Sequence, residues 1–205
     1  QTELWAVCPT VFTPVVTPAA AVVPPSPPLA PPPPGHAWTP LFRQTIPFYQ
    51  PDDRWLNYNA AGYPDEDNFS VLDNLEGCRG SVVDGKFDLK IVWPQSTRVE
   101  GNSNVWRQST NPVTTGSGGG DGYEAISISY GSMGVGGGEG FGGLEYNSNP
   151  ETLLDGSIDH DYWFYAIGSS VPFLSGLAGG HVDYGETQTE LWAVCPTVFT
   201  PVVTP

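Results

Sequence analysis

The sequence predicts a mainly β protein: a sandwich or jelly-roll-like domain with one short helix, preceded by an extended polyproline II spacer. Three observations lead there. The hydrophobic runs are short and separated by Gly, Asn, Asp or Pro clusters, the pattern of many short strands joined by turns. KFDLKIVW at 86–93 sets Phe87, Leu89, Ile91 and Trp93 against Lys86, Asp88, Lys90 and Val92, which is the two-residue period of a strand. Prolines crowd residues 9–40, where a locked φ and a missing N–H donor exclude helix and central strand.

The chain also repeats itself. Gln1–Pro18 reads QTELWAVCPTVFTPVVTP, and Gln188–Pro205 is identical to it. Internal repeats of this kind decide how the rest is read. They predict a window on a tandem array with a 187-residue period; the competing reading is a duplicated end used for strand exchange between molecules. In QTELWAVC, Thr2, Leu4, Ala6 and Cys8 face one way and Glu3, Trp5 and Val7 the other. Both faces carry bulky apolar groups, which suits a buried strand, and Pro9 stops the pairing. The expected organisation is a terminal strand of the preceding unit at 1–8, a spacer at 9–36, a globular β domain at 37–195 and the start of the next spacer at 196–205.

The spacer, PTVFTPVVTPAAAVVPPSPPLAPPPPGH, is expected to form polyproline II, with its backbone solvated. Residues 13–34 would reach on the order of 70 Å at about 3.1 Å each, as a semi-rigid connector. Within the globular part the strand candidates are WTPLFRQTIPFY, KFDLKIVW, NVWRQ, YEAISISY, GGLEY, DYWFYAIG and TELWAVC. FSVLDNLEG is the helix candidate. Asn68 or Ser70 would cap it, Val71, Leu72 and Leu75 would share a face, and Gly77 would end it. GSGGGDG at 116–122 and GSMGVGGGEGFGG at 131–143 read as strand-connecting loops. No Gly-Lys-Ser/Thr follows them, so they are not phosphate loops.

Three cysteines, Cys8, Cys78 and Cys195, are odd in number, but Cys8 and Cys195 occupy the same repeat position. Each unit therefore holds two. Cys78 with Cys195 would lie within a unit and send Cys8 to the preceding unit; Cys8 with Cys78 would bind the preceding tail to this domain. The first keeps the bond inside one core and is preferred. Three buried free thiols are the remaining alternative. A disulfide implies an oxidising, extracellular or cell-surface location.

The net charge is −15, with seven Lys and Arg, which argues against nucleic acid and anionic membranes as partners. No run of eighteen apolar residues is present, so no helical membrane span is expected. Asn68-Phe69-Ser70 is an N-glycosylation sequon. Asp155, Asp159 and Asp161 around His160 could bind Ca²⁺ through carboxylate oxygens, although a solvated turn is the plainer reading. Asp52-Asp53 and Asp65-Glu66-Asp67 read as acidic loops first. His36, His160 and His181 are isolated, and no hydrolase, zinc or nucleotide fingerprint occurs, so no catalytic residue, enzyme activity or required cofactor is expected. Trp38, Trp55, Trp106 and Trp163 could stack on sugars, against the plainer expectation that they are core.

The segment VVTPAAAVVPPSPPLAPPPPG resembles the hydroxyproline-rich spacers of algal and plant wall and flagellar-surface glycoproteins. The resemblance implies hydroxylation and O-glycosylation at Pro14, Pro18, Pro24, Pro25, Pro27, Pro28, Pro31, Pro32, Pro33 and Pro34, with Thr17 and Ser26 as further sites. LFRQTIP, FSVLDNLEGCRG, DGKFDLKIVWP, NVWRQSTNPV, GYEAI, GGLEY, WFYAIGS and TELWAV resemble an extracellular β domain of secreted, matrix and lectin-like proteins. That resemblance implies a fold and no catalytic residues. VPFLSGLAGG departs from the family's more Pro-Gly-rich approach to its last strand. Together these features lead to the expectation of a structural subunit in an extracellular glycoprotein filament, partnered by identical neighbouring units and covalent glycans. A carbohydrate-binding module on a Pro-rich stalk is the alternative.

Overall fold

A computed structural model describes residues 30–80, 84–97, 101–114, 121–129, 140–146, 151–157, 164–180 and 185–202. They form a mainly β domain. Antiparallel strands β1 (His36–Thr45), β2 (Phe69–Ser70), β3 (Phe87–Val92), β4 (Ser103–Gln108), β5 (Glu124–Ile128) and β11 (Gln188–Pro196) make a six-stranded sheet in the order β2-β1-β11-β3-β4-β5. A second sheet has the order β6-β7-β8, from Phe141–Tyr146, Thr152–Ser157 and Ile167–Ser169. β9 (Leu177–Ala178) and β10 (Gly185–Glu186) pair as a small ribbon.

The alternation in KFDLKIVW sets the core. Phe87, Leu89, Ile91 and Trp93 are all essentially inaccessible to solvent. They join Trp106, Leu191 and Ala193 from the large sheet and Phe141, Leu144, Leu154, Tyr165 and Ile167 from the second-sheet side in one hydrophobic cluster. Trp106 meets Phe141 edge-on at 4.7 Å, and Phe141 meets Tyr165 at 5.0 Å. Edge-to-face pairs of this kind add about 0.5–1.5 kcal/mol beyond burial. The six-strand sheet ends in a two-residue strand on one side and in the exposed β5 on the other, so neither edge offers a long apolar template for aggregation.

Pro40 sits inside β1, where it has no N–H for the ladder. The register with β11 shifts between Pro40 and Phe42, a bulge of the kind that admits proline into a strand. The bulge breaks alternation, so that Leu41 and Phe42 are both fully buried.

Two buried glutamines hold the large sheet to the backbone around it. Gln44 at the end of β1 donates to Phe48 O (2.8 Å) and Ser169 O (2.9 Å) and accepts from Ser169 N (2.9 Å). Gln108 at the end of β4 accepts from Trp106 Nε1 (2.7 Å) and Leu144 N (2.9 Å) and donates to Leu144 O (3.0 Å). Ser169 lies in β8 and Leu144 in β6, so both strands flanking β7 are gripped from the facing sheet. Both glutamines follow an arginine in the sequence, in LFRQT and VWRQST. The arginine of each pair points to the opposite face, where Arg43 binds Glu190 (2.8 Å) and Arg107 binds Asp88 (2.5 Å).

The expected helix forms as a 3-10 helix, Leu72–Cys78, and two shorter 3-10 helices occur at Asp52–Leu56 and Ala60–Gly62. The expected caps do not hold. Val71 occupies the N-cap position, and Asn68 instead accepts from Thr45 N (2.9 Å). Ser70 Oγ donates to Trp55 O and is a long 3.4 Å from Leu72 N. Gly77 does not end the helix, which runs on to Cys78. Its missing side chain leaves room for Phe199, whose ring would lie 3.2 Å from a Cβ there.

Gln108→Leu keeps the volume but strips partners from Leu144 N–H, Leu144 C=O and Trp106 Nε1–H. Each buried group so orphaned costs about 1–3 kcal/mol. Urea unfolding is expected to show a loss of at least about 2 kcal/mol, with the same sign for Gln44→Leu.

Candidate functional site

The second copy of the repeat is a central strand. β11 pairs with β1 along one edge, from His36↔Pro196 to Thr45↔Gln188, and with β3 along the other, from Ala193↔Leu89 to Glu190↔Val92. Thr189, Leu191, Ala193 and Cys195 are at most 1% exposed, and they are the set that alternation assigns to one face. Cys195 is bonded to Cys78 at the end of the Leu72–Cys78 helix. This is the within-unit pairing. It closes a loop of 117 residues, for which loop-closure entropy predicts a stabilisation of about 4–5 kcal/mol. Cys8 lies outside the described residues, as do Gln1–Pro18 as a whole.

The chain does not leave the domain at Cys195. Thr197 N donates to Gly35 O (2.8 Å), Phe199 is partly buried against the core, and Val202 N donates to Asn74 Oδ1 (2.9 Å). The incoming chain turns sharply at the same place. His36 N donates to Pro33 O (3.1 Å), with Gly35 at φ +78°, a turn that glycine accepts without strain. Entrance and exit are therefore bonded to each other at one end of the β1–β11 pair.

The outward face of the same strands carries aromatic groups. Trp192 on β11 is directly opposite Lys90 on β3 and Pro40 on β1, and Trp38 is opposite Val194. Lys90 Nζ lies 5.0 Å from the Trp38 ring centre and 4.9 Å from that of Trp192, within cation–π range of both. Burial holds the Lys90 ammonium below its ordinary pKa, and the neighbouring Glu190 carboxylate partly opposes that. Glu190 is 7% exposed and uses both oxygens, accepting from Arg43 Nε and from Trp192 Nε1 (2.7 Å). The indole of Trp192 is thus fixed in orientation while its face remains half-exposed.

Of the tryptophans expected to be available to sugars, Trp38 is the one partly open among the described residues. Trp55 and Trp106 are fully buried, and Trp163 lies outside the described residues. Trp192 was not among them, although its place between Glu190 and Val194 on the polar phase of β11 is a signal that it faces outward. Asn68 is half-buried beside the core residue Phe69, and its partner Ser70 is buried. Pro31–Pro34 are partly to fully accessible; Pro14, Thr17, Pro18, Pro24, Pro25, Ser26, Pro27 and Pro28 lie outside the described residues. Asp155 is buried in β7, and Asp159 and Asp161 lie outside. Among the described residues no three His, Cys, Asp or Glu side chains are grouped to hold a metal, and no helix is long and apolar enough to cross a membrane.

No family model, curated protein or solved structure matches this chain.

The Lys90 environment has a pH signature. The fold binds this proton less tightly than the unfolded chain does, so stability rises with pH as it approaches 10.5. Tyr49, Tyr63 and Tyr123, which burial holds above 10.0, act in the opposite sense as the unfolded tyrosines begin to ionise, so the Lys90 rise is read on the alkaline side of neutrality before that onset. Thermal melts are expected to show this rise, and Lys90→Met is expected to flatten it.

Proposed function

We propose that this chain is a structural subunit of an extracellular or cell-surface glycoprotein filament, built from identical β domains joined by glycosylated proline-rich spacers. The observation that carries the reading is the repeated strand. One copy of QTELWAVC is a disulfide-bonded central strand, and a domain with this topology has one such place. The other copy has the side chains, the alternation and the cysteine to fill the same place in an identical neighbour. In a tandem chain that neighbour is the preceding unit, whose last strand this copy would supply; between separate chains the copy would have to exchange with the neighbour's own β11. The proline-rich segment then sets the distance between units, and its hydroxyproline-linked glycans solvate the shaft. The low content of charged residues, 14% of the chain, is consistent with a surface kept soluble by sugars.

The Trp38–Lys90–Trp192 face favours a second reading, a carbohydrate-binding module on a Pro-rich stalk. Two half-exposed indole faces with an ammonium between them suit a sugar ring, which stacks on the aromatic face and accepts or donates at its hydroxyls.

Electron microscopy of native material distinguishes the two: regular fibres support the polymer, and soluble monomers that bind a glycan array, and lose that binding in Trp38→Ala or Trp192→Ala, overturn it. The two strand copies have separate tests. Leu191→Asp is expected to abolish folding of this domain. Leu4→Asp is expected to leave its melting temperature within about 1 °C of the parent, since under this reading Leu4 serves the neighbouring unit and a change outside this domain's core is worth less than ~0.5 kcal/mol, while fibres are lost. Fibres that persist in Leu4→Asp would sink the proposal.

A further inference from the structure

We infer that the Cys78–Cys195 disulfide is a mechanical stop that limits how far each domain can be drawn out when the polymer is pulled. The inference rests on the polymer reading, because it takes load to arrive along the chain.

The load path follows from three placements. The chain passes into β1 at Gly35 and out of β11 at Thr197, and these residues are hydrogen bonded. β1 starts there and β11 ends there, antiparallel, with His36 opposite Pro196. Tension on the two spacers therefore pulls β1 and β11 apart from one end. In an antiparallel pair the hydrogen bonds run perpendicular to the strands, so this load lies along the bonds and breaks them one pair at a time. A domain loaded at opposite ends would instead bear shear on many bonds together. Here β1 is the strand that peels, because β11 is held on its other edge by β3 and at its end by Cys195.

Peeling cannot continue indefinitely. Once β1, the two short 3-10 helices, β2 and the Leu72–Cys78 helix are drawn out, the tension reaches Cys78. It then crosses the disulfide to Cys195 and leaves through Pro196. Residues 79–194 lie inside the closed loop and carry no load. β3 to β10 and all but the last two residues of β11 are in that shielded part. The strand that β1 needs for re-pairing is therefore kept in the unit when the rest is extended. The contacts on the exit side, Phe199 on Gly77 and Val202 on Asn74, peel first and add only the few residues beyond Cys195.

The two lengths differ enough to measure. The His36–Cys78 segment extends to roughly 15 nm, and His36–Pro196 to roughly 55 nm, at about 3.4 Å per residue. The experiment is single-molecule pulling on the full chain through peptide tags at its two ends, first in non-reducing buffer and then with reductant added to the same tethered molecules. The expected result is an unfolding gain of roughly 15 nm that rises to roughly 55 nm on reduction. A gain of roughly 55 nm without reductant, or one that reduction leaves unchanged, would overturn the inference. The first of these is decided on the parent chain, so it stands even if Cys78→Ser and Cys195→Ser variants fail to fold. The step is a property of one molecule. It is measured without fibres, so its failure is distinct from failure of the polymer reading.

Discussion

The pairing of β11 between β1 and β3 is the constraint on which this structure depends. Its core-facing Leu191 and Ala193 lie opposite Phe42 and Thr39 on β1 and Ile91 and Leu89 on β3, and its backbone hydrogen bonds join the first strand of the domain to the third. Without it, β1 and β2 would be separated from β3, β4 and β5, and the large sheet would have two long open edges. The strand that comes last in the domain thus closes a sheet begun some 150 residues earlier. Such non-local pairing is slow to find and costs loop entropy. The bond from Cys195 to Cys78 offsets part of that cost by tying the strand to a helix that follows β2.

Around this strand the two faces of the sheet do different work. The inner face is largely aromatic and aliphatic, and two of its buried polar side chains, Gln44 and Gln108 at strand ends, are engaged with the backbone of the opposing sheet. Satisfied polar groups in such a setting favour one arrangement of the two sheets over others that would orphan them. The outer face is organised by charge. Glu190 is buried but shared between Arg43 and the Trp192 indole, so a carboxylate that would be costly alone becomes the fixed point for an aromatic surface. Removing one partner of that set would leave the others exposed to the cost of an unpaired buried charge.

The junction adds a consequence for architecture. Residues 30–35 lead into β1 and residues 197–202 lead out of β11 at the same end of the domain, where Thr197 N donates to Gly35 O.

How much of this was legible in the sequence depends on the range of the interaction concerned. The two-residue period of KFDLKIVW and of TELWAVC determined which side chains are core, because pleating alone decides which way a strand residue points. The shared repeat position of Cys8 and Cys195 narrowed the disulfide to a few choices. The helix at Leu72–Cys78 was legible as a helix, but its 3-10 geometry and its capping were not, since Asn68 and Ser70 found partners in β1 and in the Trp55 segment. Nor was it legible that Gln44 and Gln108 are buried: a glutamine after an arginine reads as surface until the facing backbone of Ser169 and Leu144 is in place. Trp55 and Trp192 illustrate the same point in opposite directions: Trp55 is buried among Phe42, Phe48 and Tyr58, and Trp192 stays partly exposed. Local periodicity belongs to the sequence, because it follows from backbone geometry. The choice of partners, the meeting of entrance and exit, and the path of load through Cys195 were decided only by the tertiary structure, because they depend on which distant segments lie side by side.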